Sequence, residues 1–357
     1  MKIQEFEMTV KKLYLLNAML FLLLLGCQEK QSGLTVEVIP DQAEEKVNVM
    51  VEGRLFTSYW YTDKISNMKK PVLYPIISAD GETITRGFPL QPRAGERIDH
   101  PHHIGCWFNY GDVNGIDFWG YSDATPAKQR EKMGVIRHRE IKKAESGAPG
   151  ILEVTMDWLK ADNSVLLKES TRFLFFAEPS SRTIDRITTL TAQQDTVTFN
   201  DTKEGMYAIR VNRALEHPSD QPVLLSDAHG QKTEVPVLDN TGVTGEYLSS
   251  EGVKGLDTWG TRAKWMELSG VIDGKKEAVV ILDHPSNPGY PAYWHSRGYG
   301  LFSVNPLGVR TFTEGKKAMD LTLKPGESVT FKYRIVVKSG PATSEEIEKW
   351  SQAFASE

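Results

Sequence analysis

The sequence predicts an all-β protein, a large antiparallel β-sandwich with one short helix at its C-terminus. Apolar residues recur at every second position almost everywhere beyond residue 33, which is the spacing of strands with one buried face. Turn-forming residues separate these stretches, and no helical apolar pattern lies between them. More than a dozen short strands without intervening helices favour an antiparallel sandwich or a barrel.

The strand pattern is clearest near the two ends of this region. Val47, Val49 and Val51 alternate with polar or flexible residues, and the apolar positions of residues 329–337 alternate with Thr, Lys and Arg after a Lys-Pro-Gly-Glu turn. The same spacing predicts further strands near residues 54–61, 72–77, 133–142, 152–158, 165–176, 182–191, 206–212, 264–272, 277–283 and 299–305.

One helix is predicted at the C-terminus. Thr343 followed three residues later by Glu346 has the spacing of a capping box. Ile347, Trp350 and Phe354 then fall on one helical face, so we expect the helix to pack against the sandwich.

The N-terminal segment predicts export and a lipid anchor. Two lysines precede an apolar run from Leu13 to Leu25, which is shorter than the ~20 residues of a membrane span. The run ends in Leu-Leu-Gly-Cys, which resembles a bacterial lipobox with Cys27 as the lipidated residue. An uncleaved anchor or an ordinary signal peptide is the alternative, and the sequence leaves open whether Met1 or Met8 is the start.

This interpretation divides the chain into a signal peptide (residues 1–26), a lipidated tether (27–33) and a single β-domain (34–357). We expect the protein to be exported and held by the lipid on Cys27 at the cell envelope, in the periplasm or on the outer membrane surface.

Charge and cysteine content limit the classes of partner. The net charge is −5, and removal of a signal that carries three Lys and two Glu would leave −6, so nucleic acid is not expected to bind. Only two cysteines are present, and lipidation of Cys27 would leave Cys106 without an internal disulfide partner. A hydrophobic core must therefore hold the domain together.

Residues 86–120 break the strand pattern and are the first candidate site. Three histidines, His100, His102 and His103, lie within four residues and point to proton transfer near neutral pH. They could also bind a divalent metal, with His100 and His102 as ligands. An extended X-Pro conformation would place these two rings on one side and His103 on the other. Other polar and aromatic residues of the segment are Arg97, Trp107, Asn109 and Trp119.

Two further segments contain residue types suited to sugars. Glu204 precedes a predicted strand that carries Arg210, which would place a carboxylate at a strand end. Trp294, His295 and Arg297 lie together near residue 295, where indole can stack on a sugar ring and polar groups can reach its hydroxyls.

Several of these motifs resemble a bacterial family labelled "PmoA" or methane-oxygenase-like, over roughly residues 45–340. The shared motifs include Arg86-Gly87-Phe88-Pro89, the histidine run at residues 99–103, and residues 293–302. The label suggests an oxygenase subunit that spans a membrane, but no segment after residue 26 has the length and apolarity of a span.

The resemblance implies a galactose-mutarotase-like supersandwich. In mutarotase-like enzymes two histidines and a carboxylate open and close the sugar ring, which suggests His102 or His103, His295 and Glu204 for these roles. The leading hypothesis is a carbohydrate-active enzyme that acts on a sugar or keto-sugar by His/carboxylate chemistry in an open groove, as a mutarotase, epimerase, lyase or hydrolase. Its expected catalytic residues are His102, His103, Glu204 and His295, and its expected substrate-binding residues are Arg97, Trp107, Asn109, Trp119, Arg210, Trp294 and Arg297.

Two other classes remain open at this stage. A surface glycan-binding lipoprotein would use the tryptophans without turnover, and a metal-dependent oxygenase or lyase would use the histidines as ligands. The enzymatic hypothesis requires that the segments near residues 100, 204 and 295 meet in one hollow.

Overall fold

Two eight-stranded antiparallel sheets form the fold. The structure is a computed structural model, and it describes residues 33–65, 67–227, 231–236 and 239–357. The first sheet has the strand order β1 (Val36–Asp41), β2 (Lys46–Val51), β3 (Arg54–Trp60), β4 (Val72–Ile76), β5 (Cys106–Tyr110), β11 (Gly205–Arg210), β18 (Leu301–Asn305) and β17 (Tyr293–Ser296).

The second sheet has the same number of strands. Its order is β14 (Glu246–Ser249), β15 (Trp265–Ile272), β16 (Lys275–Asp283), β20 (Ser328–Ser339), β9 (Ser181–Ala192), β8 (Val165–Glu178), β7 (Gly150–Leu159) and β6 (Val135–Glu145). Two small ribbons join β10 (Val197–Phe199) to β19 (Leu321–Leu323) and β12 (Val223–Ser226) to β13 (Lys232–Val235).

Aromatic side chains from the inner faces of both sheets form the core. Phe108 on β5 lies 5.7 Å from Phe331 on β20 between ring centroids, and Tyr207 on β11 stacks on Tyr333 at 5.3 Å. Side chains on β7 alternate between buried and partly exposed, as the period-two pattern requires. The predicted antiparallel sandwich is therefore confirmed, and each strand predicted from the sequence is present with small shifts at its ends.

The C-terminal helix is also present. Two single-turn helices, α1 (Ala127–Arg130) and α2 (Val309–Phe312), precede α3 (Ser344–Ala355). Thr343 caps α3 by accepting a hydrogen bond from the Glu346 N–H (3.2 Å), while the Glu346 carboxylate pairs with Lys338. Ile347 and Phe354 are buried in a cluster with Trp265 and Val280 of the second sheet.

The expected signal peptide (1–26), the lipidated Cys27 and most of the tether lie outside the described residues. From Leu34 onward the chain forms one compact unit. Within the described ranges, no helix is both long and apolar enough to cross a membrane.

Candidate functional site

A row of four residues crosses the outer face of the first sheet and forms the base of the site. Trp107 on β5 pairs with Ala208 on β11, Ala208 pairs with Ser303 on β18, and Ser303 pairs with His295 on β17. Paired residues of an antiparallel sheet point to the same face. The two small side chains in the middle therefore leave a hollow, which Trp107 and His295 flank.

The three histidines form a tight turn at one end of this hollow. The His103 N–H donates to the His100 carbonyl (2.9 Å), and His100 has a φ of +43°. The His100 and His103 rings are stacked at 4.8 Å, and His102 meets His103 edge-on at 4.4 Å. The expectation of an extended segment with His103 pointing away is therefore wrong, because the backbone turns at His100 and brings all three rings together.

The histidine turn, the residues before β11 and the hairpin between β17 and β18 enclose a cavity of about 450 Å³, here called the histidine cavity. This volume is within the ~300–1,000 Å³ typical of small-molecule sites. Its lining residues are His100, His102, His103, Asp117, Trp119, Gly120, Lys203, Glu204, His295, Arg297 and Tyr299. The three segments singled out in the sequence thus meet in one place.

Hydrogen bonds to backbone carbonyls determine which nitrogen carries the proton in two of the imidazoles. His102 Nδ1 lies 2.8 Å from the Tyr121 carbonyl oxygen, and His295 Nδ1 lies 3.0 Å from that of Lys203. A carbonyl oxygen only accepts, so Nδ1 is the donor in each ring and Nε2 of the neutral ring is an acceptor. Both rings are therefore held in the tautomer that suits a general base.

His103 has the opposite tautomer. Its Nδ1 lies 3.4 Å from a nitrogen of Arg210, which only donates, so the proton of the neutral ring is on Nε2. Within the described part of the chain, this buried Nε2 has no hydrogen-bond partner. A buried donor without a partner is costly, and a ligand oxygen is one group that could satisfy it.

Burial keeps these rings neutral. It lowers the pKa of His295 to about 4 and, together with the charge of Lys70, lowers the pKa of His102 to about 3. The pKa of His103 also lies well below its ordinary value, first through burial and then through its charged neighbours.

Two carboxylates lie in the same cavity in different surroundings. Glu204 forms an ion pair with Lys203. Burial raises the pKa of Asp117, against the opposing effect of the N–H groups of Gly120 and Trp119, and the charge of Glu204 raises it further. Gly111 makes room for Glu204, because a Cβ at this position would lie 2.7 Å from the Cβ of Glu204.

Comparison with known protein families shows which family the chain belongs to. A model of a family of unknown function, DUF6807, matches residues 46–352. The chain belongs to this family. No match was found among curated protein sequences. The DUF6807 description names no activity, and it gives no support to the methane-oxygenase-like label that the sequence motifs suggested.

Several solved structures similar to this DUF6807 protein have names that refer to sugars. A putative aldose 1-epimerase from Escherichia coli K12 is 12% identical, with 86% of this chain and 100% of that chain covered and a TM-score of 0.30. A galactose mutarotase related enzyme from Lactobacillus acidophilus is 10% identical, with coverage of 86% and 98% and a TM-score of 0.30. An α-galactosidase from Lactobacillus brevis is 9% identical, with coverage of 86% and 40% and a TM-score of 0.34. Likeness at this level says nothing about catalysis.

Not every residue predicted for the site lines the histidine cavity of the DUF6807 protein. Trp294 is fully buried in the main core, where its Nε1 donates to the Ala263 carbonyl, so it is not a stacking surface. Asn109 is buried and donates to the Phe118 carbonyl (2.6 Å), which holds the loop that carries Asp117. Trp107 lies beneath His103, with ring centroids 5.1 Å apart.

Arg210 and Arg97, which were predicted to bind substrate, are buried in ion pairs and do not line the histidine cavity. Arg210 donates to Asp99 (2.6 Å), which also contacts Arg86 and His100. Burial alone would raise the pKa of Asp99, but Arg210, His100 and Arg86 together hold it well below its ordinary value. Arg97 pairs with the buried Glu216 (2.7 Å) and lines a different cavity.

Sequence analysis did not select Asp117, Lys203 or Tyr299 for the site. Asp117 lies in the same irregular segment as the histidines and Lys203 is next to Glu204, so proximity to selected residues was the available signal. Tyr299 follows the Trp-His-Ser-Arg run, and its ring stacks on His100 at 5.2 Å.

The donor set does not fit the expected metal site. The His100 and His102 ring centroids are 5.8 Å apart, at an interplanar angle of 75°. Among the residues that the structure describes, no three His, Cys, Asp or Glu side chains are arranged to hold an ion. His100 and His102 therefore lack, within those residues, the third protein ligand that even an open catalytic metal site has.

The buried histidines predict that stability falls in mild acid. The pKa of His295 is about 4 in the folded state, whereas an unfolded histidine has about 6.5. Between these values the unfolded state binds a proton that the folded state does not, so this contribution, at most about 3 kcal/mol, is present above pH 6.5 and lost as the pH falls towards 4. We expect the melting temperature of the wild type to decline over this pH range, and that of His295→Gln to decline less steeply. Equal slopes for the two proteins would contradict the lowered pKa of His295.

Proposed function

We propose that this protein is an enzyme that acts on a sugar or keto-sugar by proton transfer at or beside the anomeric carbon. One observation supports it above the others: His295, Glu204 and the histidine turn line one cavity, and two imidazoles there are held with Nε2 as an acceptor. A polar cavity of this kind supplies both a base and proton donors without a cofactor.

Ring opening illustrates the chemistry that such a set performs. A base removes the proton of the anomeric hydroxyl, the electrons of that bond form the C1=O1 double bond, and the bond between C1 and the ring oxygen breaks as an acid protonates that oxygen. His295 Nε2 is the proposed base. Asp117 is the proposed acid, because burial shifts it towards the protonated form. Closure on the other face of the aldehyde returns both protons and yields the other anomer.

The aromatic residues of the cavity suit the apolar face of a sugar. Trp119 meets the His103 ring edge-on at 5.6 Å, and Tyr299 stacks parallel to His100. Both line the histidine cavity together with the exposed Arg297, which can reach hydroxyl groups.

Nuclear magnetic resonance of sugars mixed with the purified domain tests the proposal. Exchange of magnetisation between α and β anomers of aldoses and keto-sugars should become faster than in buffer, and an epimerase or lyase would instead produce new signals from an isomer or an alkene. Binding in calorimetry without any change in the sugar would favour the non-catalytic glycan-binding alternative.

A further inference from the structure

A second and larger cavity, of about 730 Å³, adjoins the histidine cavity and is here called the outer cavity. The two cavities share Arg297 and Tyr299, both from the hairpin between β17 and β18. The outer cavity is lined by Arg97, His217, Pro218, Ser219, Asp220, Gln221, Asn240, Leu256, Trp259, Ser296, Arg297, Gly298 and Tyr299. Nothing in the proposed proton transfer uses this space.

A continuous row of aromatic rings and the Arg297 guanidinium connects the two cavities. Tyr299 stacks on His100, the Arg297 guanidinium lies 5.6 Å from the Tyr299 ring, and the same group lies 5.9 Å from the Trp259 ring. Trp259 also meets His295 edge-on at 6.5 Å. A ligand bound at the histidines can therefore extend past Arg297 and remain in contact with protein.

The chemistry of the outer cavity matches a sugar unit. Hydroxyl, amide and imidazole groups of Ser219, Gln221, Asn240 and His217 can bind hydroxyls, and Trp259 supplies a flat apolar surface. Trp259 Nε1 is a buried donor that has no partner in the described ranges of the chain.

Charge in the outer cavity is nearly balanced. Arg97 is neutralised by Glu216, and Asp220 offsets one further positive charge. Arg297, at the boundary of the two cavities, forms no ion pair with any described residue, so its donors are available to oxygens at the link between two units.

We propose that the substrate has at least two sugar units, with the reacting unit in the histidine cavity and the adjacent unit in the outer cavity. This inference rests on the proposed function for the identity of the reacting unit. It adds that the natural substrate is a reducing disaccharide, an oligosaccharide or a glycan end, and that Trp259 and Arg297 select it over a free monosaccharide.

Calorimetry and anomer exchange together test this inference. Lactose, cellobiose, maltose and melibiose are compared with galactose and glucose, on the wild type and on Trp259→Ala. At least one disaccharide should bind about tenfold more tightly than its component monosaccharides. Trp259→Ala should remove most of that advantage and weaken monosaccharide binding much less. Trp350→Ala, which removes a half-buried tryptophan on α3, is the matched control and should leave both affinities unchanged.

The outcomes separate the two proposals. Equal affinities for disaccharides and monosaccharides, or an equal loss for both in Trp259→Ala, would overturn the inference of a second unit. Tighter disaccharide binding with neither anomer exchange nor any new signal from the sugar would retain the second subsite and overturn the proposed enzymatic function. Anomer exchange of free galactose or glucose at full rate without any disaccharide preference would retain the enzyme and remove the outer subsite.

Discussion

Replacement of His295 by Gln is expected to lower the rate of anomer exchange by about 100-fold to 10,000-fold while the protein stays folded. The neutral ring of His295 presents Nε2 as an acceptor because its Nδ1 is bound to the Lys203 carbonyl. Gln can replace the hydrogen bond but cannot accept a full proton near neutral pH, so the contribution of the general base is lost. The exchange rate is measured by magnetisation transfer at saturating sugar, and folding is checked by circular dichroism.

A matched histidine variant distinguishes loss of chemistry from loss of structure. His138 is half-buried and, like His295, hydrogen-bonded, with Nδ1 3.2 Å from the Tyr59 hydroxyl, but it lines a separate cavity together with Arg137 and Arg139. His138→Gln should retain the wild-type rate. Combination of His295→Gln with Asp117→Asn should lower the exchange rate little further than the worse single change, since the effects of a base and an acid that act as one unit are not additive. A fully active His295→Gln would remove this residue from the proposed reaction.

The alternation of apolar residues was sufficient to predict the strands, but not which strands lie side by side in a sheet. The alternation on β7 reflects one buried face, which the sequence shows directly. The row from Trp107 to His295 depends on the lateral order of β5, β11 and the β17–β18 hairpin, three segments that lie far apart in the chain. Ala208 and Ser303 form the middle of this row, and nothing in their own segments marks two small residues as the floor of a hollow.

The sequence predicted the segments that form the candidate site, but it predicted less well which of their side chains line the cavity. The unusual composition of their segments selected the histidine turn, Glu204 and His295, and the structure brings these residues to one cavity. The face that Trp294 occupies could not be predicted, since Trp suits a core and a sugar site equally. The outer cavity was missed because its residues come from several loops without a shared spacing.

A buried arginine, Arg86, binds several backbone carbonyls in and next to the histidine turn. Arg86 donates from one nitrogen to the carbonyls of Arg97 and Asp99 and to the Asp99 carboxylate, and from the other to the carbonyls of His100 and His103. Its side chain is only 1% exposed, so water cannot replace these bonds. The guanidinium thus satisfies four backbone acceptors of a turn that has no strand partner for them.

Replacement of Arg86 by Met is expected to lower the free energy of unfolding by about 3–5 kcal/mol, because it leaves buried carbonyls without their donor and removes one of the two arginines that bind the Asp99 carboxylate. Urea denaturation measures this loss, and Arg54→Met, at a side chain that is 66% exposed, should change stability by less than about 0.5 kcal/mol.

Arg86→Lys keeps the charge but presents one ammonium to five acceptor contacts, so it should recover only part of the loss. Hydrogen exchange should quicken first at residues 97–103. A loss of under about 1 kcal/mol for Arg86→Met would mean that other contacts hold the turn, and the histidine cavity would then have a different structural origin.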